Sequence, residues 1–349
     1  MKLDAPLVAT SLAEVPSAAR ALEADGFDGV YTFEGPHDPF LPLALAAEHT
    51  TRVELMTAVA IAFARNPMTV ANIGWDLQAA SGGRAIVGLG SQIKPHVERR
   101  FSMPWSAPAA RMREFVSALR AIWSTWQDGT PLRFEGEHYH HTLMTPFFTP
   151  EPLPTGPPRI FLAGIGPAMT AVAADLADGF FVHPFSTPAF IRDRTRPALH
   201  AGARGSSPTF EIAWPVMIAT GTSTAAREAA ELATRAQIGF YGSTPAYRPV
   251  LEHHDRAELQ PQLRTHTQTG DWERLVELVD DELFDLVAIR GTPVECAQEL
   301  ARRTVGLVDR AAINAPYVAD ATTWQELLKT FRTEVDRMAE TSPTSRPAG

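Results

Sequence analysis

Residues 53–61 read VELMTAVAI. The run is apolar on both alternating faces, as a strand buried between two helical layers of a parallel sheet must be. Two shorter runs flank it, GVYTF at 29–33 and AIVGL at 85–89. One helical pattern precedes the three, Leu12–Asp25 before Gly26, and two lie between them, Leu41–His49 and Pro67–Ala80 with its proline in the first turn. A glycine just past a helix and a proline just inside one are the expected punctuation. A strand at Lys2–Val8 opens the series. Strand, helix, strand in steady alternation predicts parallel strands joined by helical crossovers.

The rhythm continues to the far end of the chain. Met112, Phe115, Val116, Leu119, Ile122, Trp123 and Trp126 recur at helical steps, with Arg111, Arg113, Glu114 and Arg120 read onto the other side. Strands are expected at Arg159–Ala163, Gly179–His183, Phe210–Ala219 and Arg310–Asn314. Helices are expected at Pro167–Ala177, Pro188–Ala201, Thr224–Gly239, Val294–Arg303 and Thr322–Ala339. About eight βα units favour a closed (β/α)8 TIM barrel over an open α/β sheet. Residues 128–158 and 241–281 break the rhythm and are read as insertions at the C-terminal, catalytic face. One barrel domain over 1–340 and a disordered tail over 341–349 complete the expected organisation.

Composition narrows the function classes. The chain has 349 residues, 31 basic and 40 acidic side chains, and a net charge of −9. That balance argues against bulk nucleic-acid binding. A single cysteine, Cys296, excludes an intrachain disulfide or Cys-rich metal site and fits a reducing, cytoplasmic setting. No apolar run approaches the roughly 20 residues of a membrane helix. Asp4 and the lack of a long apolar core make MKLDAPLVATSLAEV a poor secretory signal.

In a barrel, chemistry sits on the loops after the strands. After the second strand comes Glu34-Gly35-Pro36-His37-Asp38-Pro39-Phe40. A histidine among carboxylates suits general acid–base work, so His37 is the candidate proton carrier, with Glu34 or Asp38 setting its pKa. A loop-bracing His37 is the alternative. Phe40 is a candidate substrate contact. After the fourth strand, Gly88-Leu89-Gly90 leads to Ser91-Gln92. Ile93 stands where a dinucleotide fingerprint needs glycine, which argues against a Rossmann site. Lys94, Arg99 and Arg100 suit either an anionic ligand tail or a solvated loop. After the fifth strand, Ala163-Gly164-Ile165-Gly166-Pro167-Ala168 puts two glycines before a helix start. Free N–H groups there bind phosphate; a tight turn that merely needs glycine is the alternative. His183 ends the sixth strand and is a candidate substrate contact. His138, His140 and His141 lack an accompanying carboxylate or cysteine signature in sequence, so no metal site is expected.

Taken together, the segments from Gly26 to Thr50, Thr57 to Met68, Trp75 to Gln92, His96 to Gly129, Phe134 to Tyr139 and Ala163 to Phe185 resemble the luciferase-like monooxygenase superfamily. The likeness is to its coenzyme F420-dependent (deazaflavin) oxidoreductase branch, in an actinobacterial subgroup. The resemblance implies a bacterial-luciferase-like barrel, a homodimer, and a flavin-like ring at the C-terminal mouth. It implies a non-prolyl cis peptide at Ala58–Val59 against the ring, a phosphate loop at Gly164–Ala168, and His37 as the active-site histidine. It therefore implies hydride transfer between F420, an 8-hydroxy-5-deazaflavin, and a small organic substrate. The sugar-phosphate dehydrogenases of the family carry Asp-His, then Trp, and a carboxylate after strand four. Here the order is His37-Asp38, then Leu41, and Ser91-Gln92 stand at the carboxylate position, so a sugar phosphate is not carried over. An FMN-dependent monooxygenase and a non-catalytic flavin-binding protein are the alternatives.

Overall fold

Asn66 begins the first clearly capped helix: its side chain accepts the Thr69 N–H at 2.9 Å, and Pro67 follows where no N–H is needed. Local signals of this kind set the element order in the computed structural model, which describes residues 1–341. Its strands are β1 (Lys2–Pro6), β2 (Gly29–Thr32), β3 (Glu54–Thr57), β4 (Ala60–Ile61) and β5 (Ala85–Gly90). Then follow the hairpin strands β6 (Phe134–Glu135) and β7 (His140–His141), then β8 (Arg159–Gly164), β9 (Gly179–Val182), β10 (Glu211–Thr220), β11 (Ala288–Gly291) and β12 (Arg310–Asn314). The helices that position the site are α1 (Val15–Asp25), α2 (Phe40–His49), α3 (Pro67–Ala80), α4 (Pro108–Asp128) and α5 (Pro167–Leu176). The fold is a (β/α)8 barrel with flanking helices.

The described residues fall into two units. One comprises Ala5–Phe181 and Pro197–Glu211. Its strands run parallel, with β2 beside β3, β3 beside β5, and β5 beside β8. Helix α4 packs its apolar stripe inward, and Phe115, Trp123 and Trp126 are buried with Phe27, Phe63 and Phe161. Trp126 meets Trp75 edge-on at 5.4 Å. Arg111, read onto the polar side of α4, is buried instead. Its guanidinium lies 4.5 Å from the Phe63 ring centroid and donates to the Tyr139 hydroxyl at 2.8 Å. Glu114 accepts backbone N–H groups from Glu137, His138 and Tyr139, so the first insertion is a hairpin tied back to the opening turns of α4.

The other unit comprises Met1–Asp4, Val182–Arg196 and the chain from Ile212. Strand β12 pairs with Lys2–Asp4 and with Ala213–Met217 of β10. Asp4 and Arg310 form a buried ion pair here, at 2.7 Å, with further hydrogen bonds between the same side chains. The second insertion is helical. Leu259–Thr269, Trp272–Glu277 and Asp281–Val287 follow one another, the last two capped by Asp271 and Asp280. A strand that periodicity did not suggest, β11, pairs with Met217–Thr220 of β10. Four residues are too few for a period to register. Strand β12 is the predicted RAAIN strand. Thr341 ends the last helix, and the rest of the tail expected to be disordered lies outside the described residues. No helix among the described residues is long and apolar enough to cross a membrane.

Candidate active site

The nine-residue strand predicted at 53–61 is two strands, β3 and β4, separated at Ala58–Val59, whose peptide bond is cis. Backbone bonds from β2 hold that segment: the Ala58 N–H donates to Thr32 O at 2.6 Å, and the Glu34 N–H to Val59 O at 3.2 Å. Strand β5 presses on its other side. Thr57 Oγ1 donates to Gly88 O at 2.7 Å and accepts the Gly88 N–H at 2.9 Å. A Cβ on Gly88 would overlap the Thr57 carbonyl oxygen, and one on Gly90 would lie 2.7 Å from Val59 Cγ2. The Gly-x-Gly of β5 is therefore a close-approach feature that lets the Ala58–Val59 ledge sit against the sheet. Ala58 and Val59 themselves stay partly exposed.

The loop after β2 is organised by a residue that sequence reading gave no role. Arg65 Nη1 reaches Glu34 Oε2 at 2.6 Å and its Nη2 reaches Asp38 Oδ2 at 2.8 Å. Glu34 Oε2 also accepts the Ile61 N–H at 2.7 Å, and Asp38 Oδ1 the Phe40 N–H at 2.8 Å. Burial works against the Arg65 charge, but the hydrogen bonds and charges of both carboxylates outweigh it and raise its pKa. Glu34 and Asp38 are thus both engaged by Arg65, a structural role that the sequence did not show. Phe40, read as a candidate substrate contact, is buried with Arg65 5.6 Å from its ring centroid, which corrects that reading. The exposed apolar side chains of this loop are Phe33 and Leu41. His37 is exposed, and no hydrogen bond or ion pair of it is found among the described residues.

After β5 the chain turns through Gln92, at φ 60°, whose Oε1 accepts the Ile93 N–H at 3.0 Å. Ser91 donates to Gln92 O at 3.2 Å. Both side chains are engaged locally. Arg100 donates to Gly35 O at 2.6 Å and stacks on Phe101, while Lys94 pairs loosely with Glu98 at 3.7 Å. Arg99 is exposed. Arg100 therefore braces the His37 loop as well as carrying charge.

After β8, Gly166 precedes α5 with no side-chain cap, and Pro167 lacks an N–H. The N–H groups of Ala168 and Met169 are first-turn donors without an intrahelical partner. A Cβ on Gly164 would meet Met169 Cγ at 2.8 Å, whereas Gly166 has nothing within 4 Å. Gly166 sits at φ −83°, open to any residue. The alternative of a turn that merely needs glycine therefore does not hold at Gly166, where a side chain would occupy open space above the helix start. Ala163 and Ile165 are partly exposed beside it.

Two further predicted features fall elsewhere. Glu114, Glu137 and His138 bring potential donor atoms within 4.8 Å of one another; Glu137 is the neighbour of His138 in sequence, and Glu114 arrives from α4. Both Glu114 oxygens already accept backbone N–H groups, so the cluster closes the hairpin. His183, in the second unit, packs against Tyr241 and Tyr247. Neither tyrosine was singled out in the sequence, since both lie in the insertion.

The luciferase-like monooxygenase family matches residues 2–310. The chain belongs to that family and is an enzyme. An uncharacterized protein of Mycobacterium tuberculosis is 53% identical over 313 residues, spanning 89% of this chain and 92% of the relative. The 5,10-methylenetetrahydromethanopterin reductase of Archaeoglobus fulgidus is 26% identical over 318 residues, spanning 88% and 91%. In fold, the chain is similar to the coenzyme F420-dependent tetrahydromethanopterin reductase of Methanopyrus kandleri, with a TM-score of 0.75, 18% identity, and coverage of 97% and 98%.

Proposed function

We propose that this enzyme transfers a hydride between coenzyme F420 and a small organic substrate, and that it works in the cytoplasm as a homodimer. The observation that carries the cofactor reading is the pair formed in one unit by the open α5 N-terminus and the clamped Ala58–Val59 ledge. The residues fit such a group. Open space over Gly166 and the free N–H groups of Ala168 and Met169 suit a phosphate, where the helix dipole also favours negative charge. The ledge offers a fixed, partly exposed backbone surface for a flat ring. Lys94 and Arg99, both exposed, suit an acidic tail.

When bound, the deazaflavin supplies the hydride-carrying carbon. The chain's own residues bind it, orient it and manage the proton. His37, exposed and unengaged, is the group available to give or take a proton at an imidazole nitrogen. Arg65 holds the loop that presents it. Titration of the purified protein with F420 and with FMN tests the reading. Saturable F420 binding with weaker FMN binding is expected; tight FMN binding alone would return the monooxygenase alternative.

A further inference from the structure

His183 stands at the end of β9 in a setting without charge. Its Nδ1 accepts the Phe185 N–H at 3.1 Å, which fixes the proton of the neutral ring on Nε2. The Tyr247 ring lies over it at 4.0 Å between centroids, tilted 36°, and the Tyr241 ring meets it edge-on at 4.8 Å. Burial alone, with no charged neighbour contributing, pushes the His183 pKa down to about 3. The ring is therefore neutral at any ordinary pH. A neighbouring carboxylate would have favoured the imidazolium and a neighbouring cation would have disfavoured it further; neither contributes to the shift.

The second insertion builds this corner. Gly242 ends the helix Thr224–Gly242 close against its neighbours; a Cβ there would lie 2.8 Å from Leu263 and 3.4 Å from Phe185. That close approach sets Tyr241 beside His183. Gln237 Nε2 donates to the Tyr241 hydroxyl at 3.1 Å and fixes the ring, yet Gln237 Oε1 is buried without a partner. No hydrogen bond of His183 Nε2 or of the Tyr247 hydroxyl is found among the described residues, and both residues are partly exposed. Among the described residues the corner thus has aromatic walls and two donors without a partner, and no charged group contributes to the His183 shift.

We propose that His183, Tyr241 and Tyr247 bind an uncharged planar ligand bearing a carbonyl or hydroxyl oxygen, with the His183 Nε2–H and the Tyr247 hydroxyl as donors to that oxygen. An anionic ligand would give up its hydration against aromatic walls and neutral donors, which is costly. An uncharged oxygen needs only the donors, and its ring stacks on the tyrosines. Calling this ligand the substrate rests on the oxidoreductase reading above; its binding does not.

A matched pair of probes tests it: 2-acetylnaphthalene and 2-naphthoate, equal in ring and differing in charge. Each is titrated calorimetrically at pH 7 into the full chain, into His183→Phe and into Tyr247→Phe. The ketone is expected to bind about tenfold or more tightly than the carboxylate, and His183→Phe to weaken the ketone about tenfold, the usual value of one hydrogen bond. Tyr247→Phe keeps the ring and is expected to cost several-fold. F420 affinity, measured in the same proteins, should not move. Equal carboxylate binding, no saturable ketone binding, or wild-type ketone affinity in both variants would overturn the assignment. Ketone binding as expected in a chain that does not take F420 would keep this assignment and overturn the oxidoreductase reading.

Discussion

Arg65 Nη1 stands 2.6 Å from Glu34 Oε2, and both side chains are nearly buried, 12% and 7% exposed. The pair joins the loop after β2 to the segment after β4, and so fixes the His37 loop against the Ala58–Val59 ledge. Glu34 reaches the same segment through its own N–H to Val59 O. Removing one partner of a buried pair leaves the other charge uncompensated. Arg65→Met is accordingly expected to destabilise the protein by about 3 kcal/mol in denaturant unfolding. A loss no larger than that of an exposed pair, under about 1 kcal/mol, would mean that solvent reaches Glu34.

Two glycines separate packing from binding. Gly88→Ala places a methyl group on the Thr57 carbonyl oxygen and 2.7 Å from a Phe181 ring carbon. It should cost about 3 kcal/mol or more, since neither neighbour can yield. Gly166→Ala projects into open space and should cost at most about 1 kcal/mol, the range of a helix-cap change. Its F420 affinity should nonetheless fall at least about tenfold, because the methyl group stands where a phosphate meets the helix start. Wild-type affinity in folded Gly166→Ala removes this loop from the cofactor site.

His37→Ala should leave melting temperature and F420 affinity at wild-type values, because the ring is exposed and holds nothing. Single-turnover hydride transfer should fall by about 10²–10⁴, the usual size of an acid–base contribution. Near-normal transfer would take His37 out of the mechanism.

Acid should loosen the first insertion. Burial tends to raise the Glu114 pKa, but the N–H groups of His138, Glu137 and Tyr139 outweigh it, and the folded value lies below the ordinary 4.5. A carboxylate with a depressed folded pKa contributes stability that is fully present above its unfolded value. That contribution is lost as pH falls through the folded value. Wild type should therefore lose hairpin protection below about pH 4.5. Glu114→Gln should show weaker protection already at pH 7 and a flatter acid profile. Hydrogen exchange at the amides of 137–139 reads both; identical profiles in the two proteins would remove Glu114 as the cause.

The sequence by itself determined the barrel. Its apolar strands, capped helices and short connections are local signals that side-chain periodicity and backbone chemistry write directly into the chain. Pro67 in the first turn of its helix and the α4 stripe are examples, and both stand where they were read. The loops after β2, β5 and β8 were legible as well, because glycine and proline mark backbone turns. What each side chain does there was decided by tertiary structure. Arg65 meets Glu34 and Asp38 only when β2 and the segment after β4 come together, and that pairing gives both carboxylates a structural partner that the sequence did not show. The glycines of β5 read as a weak motif until Thr57 and Val59 are seen against them. Tyr241 and Tyr247 gain meaning only beside His183. Periodicity records which face of an element is buried; it carries no information about which distant side chain arrives to share a proton, a charge or a ring face.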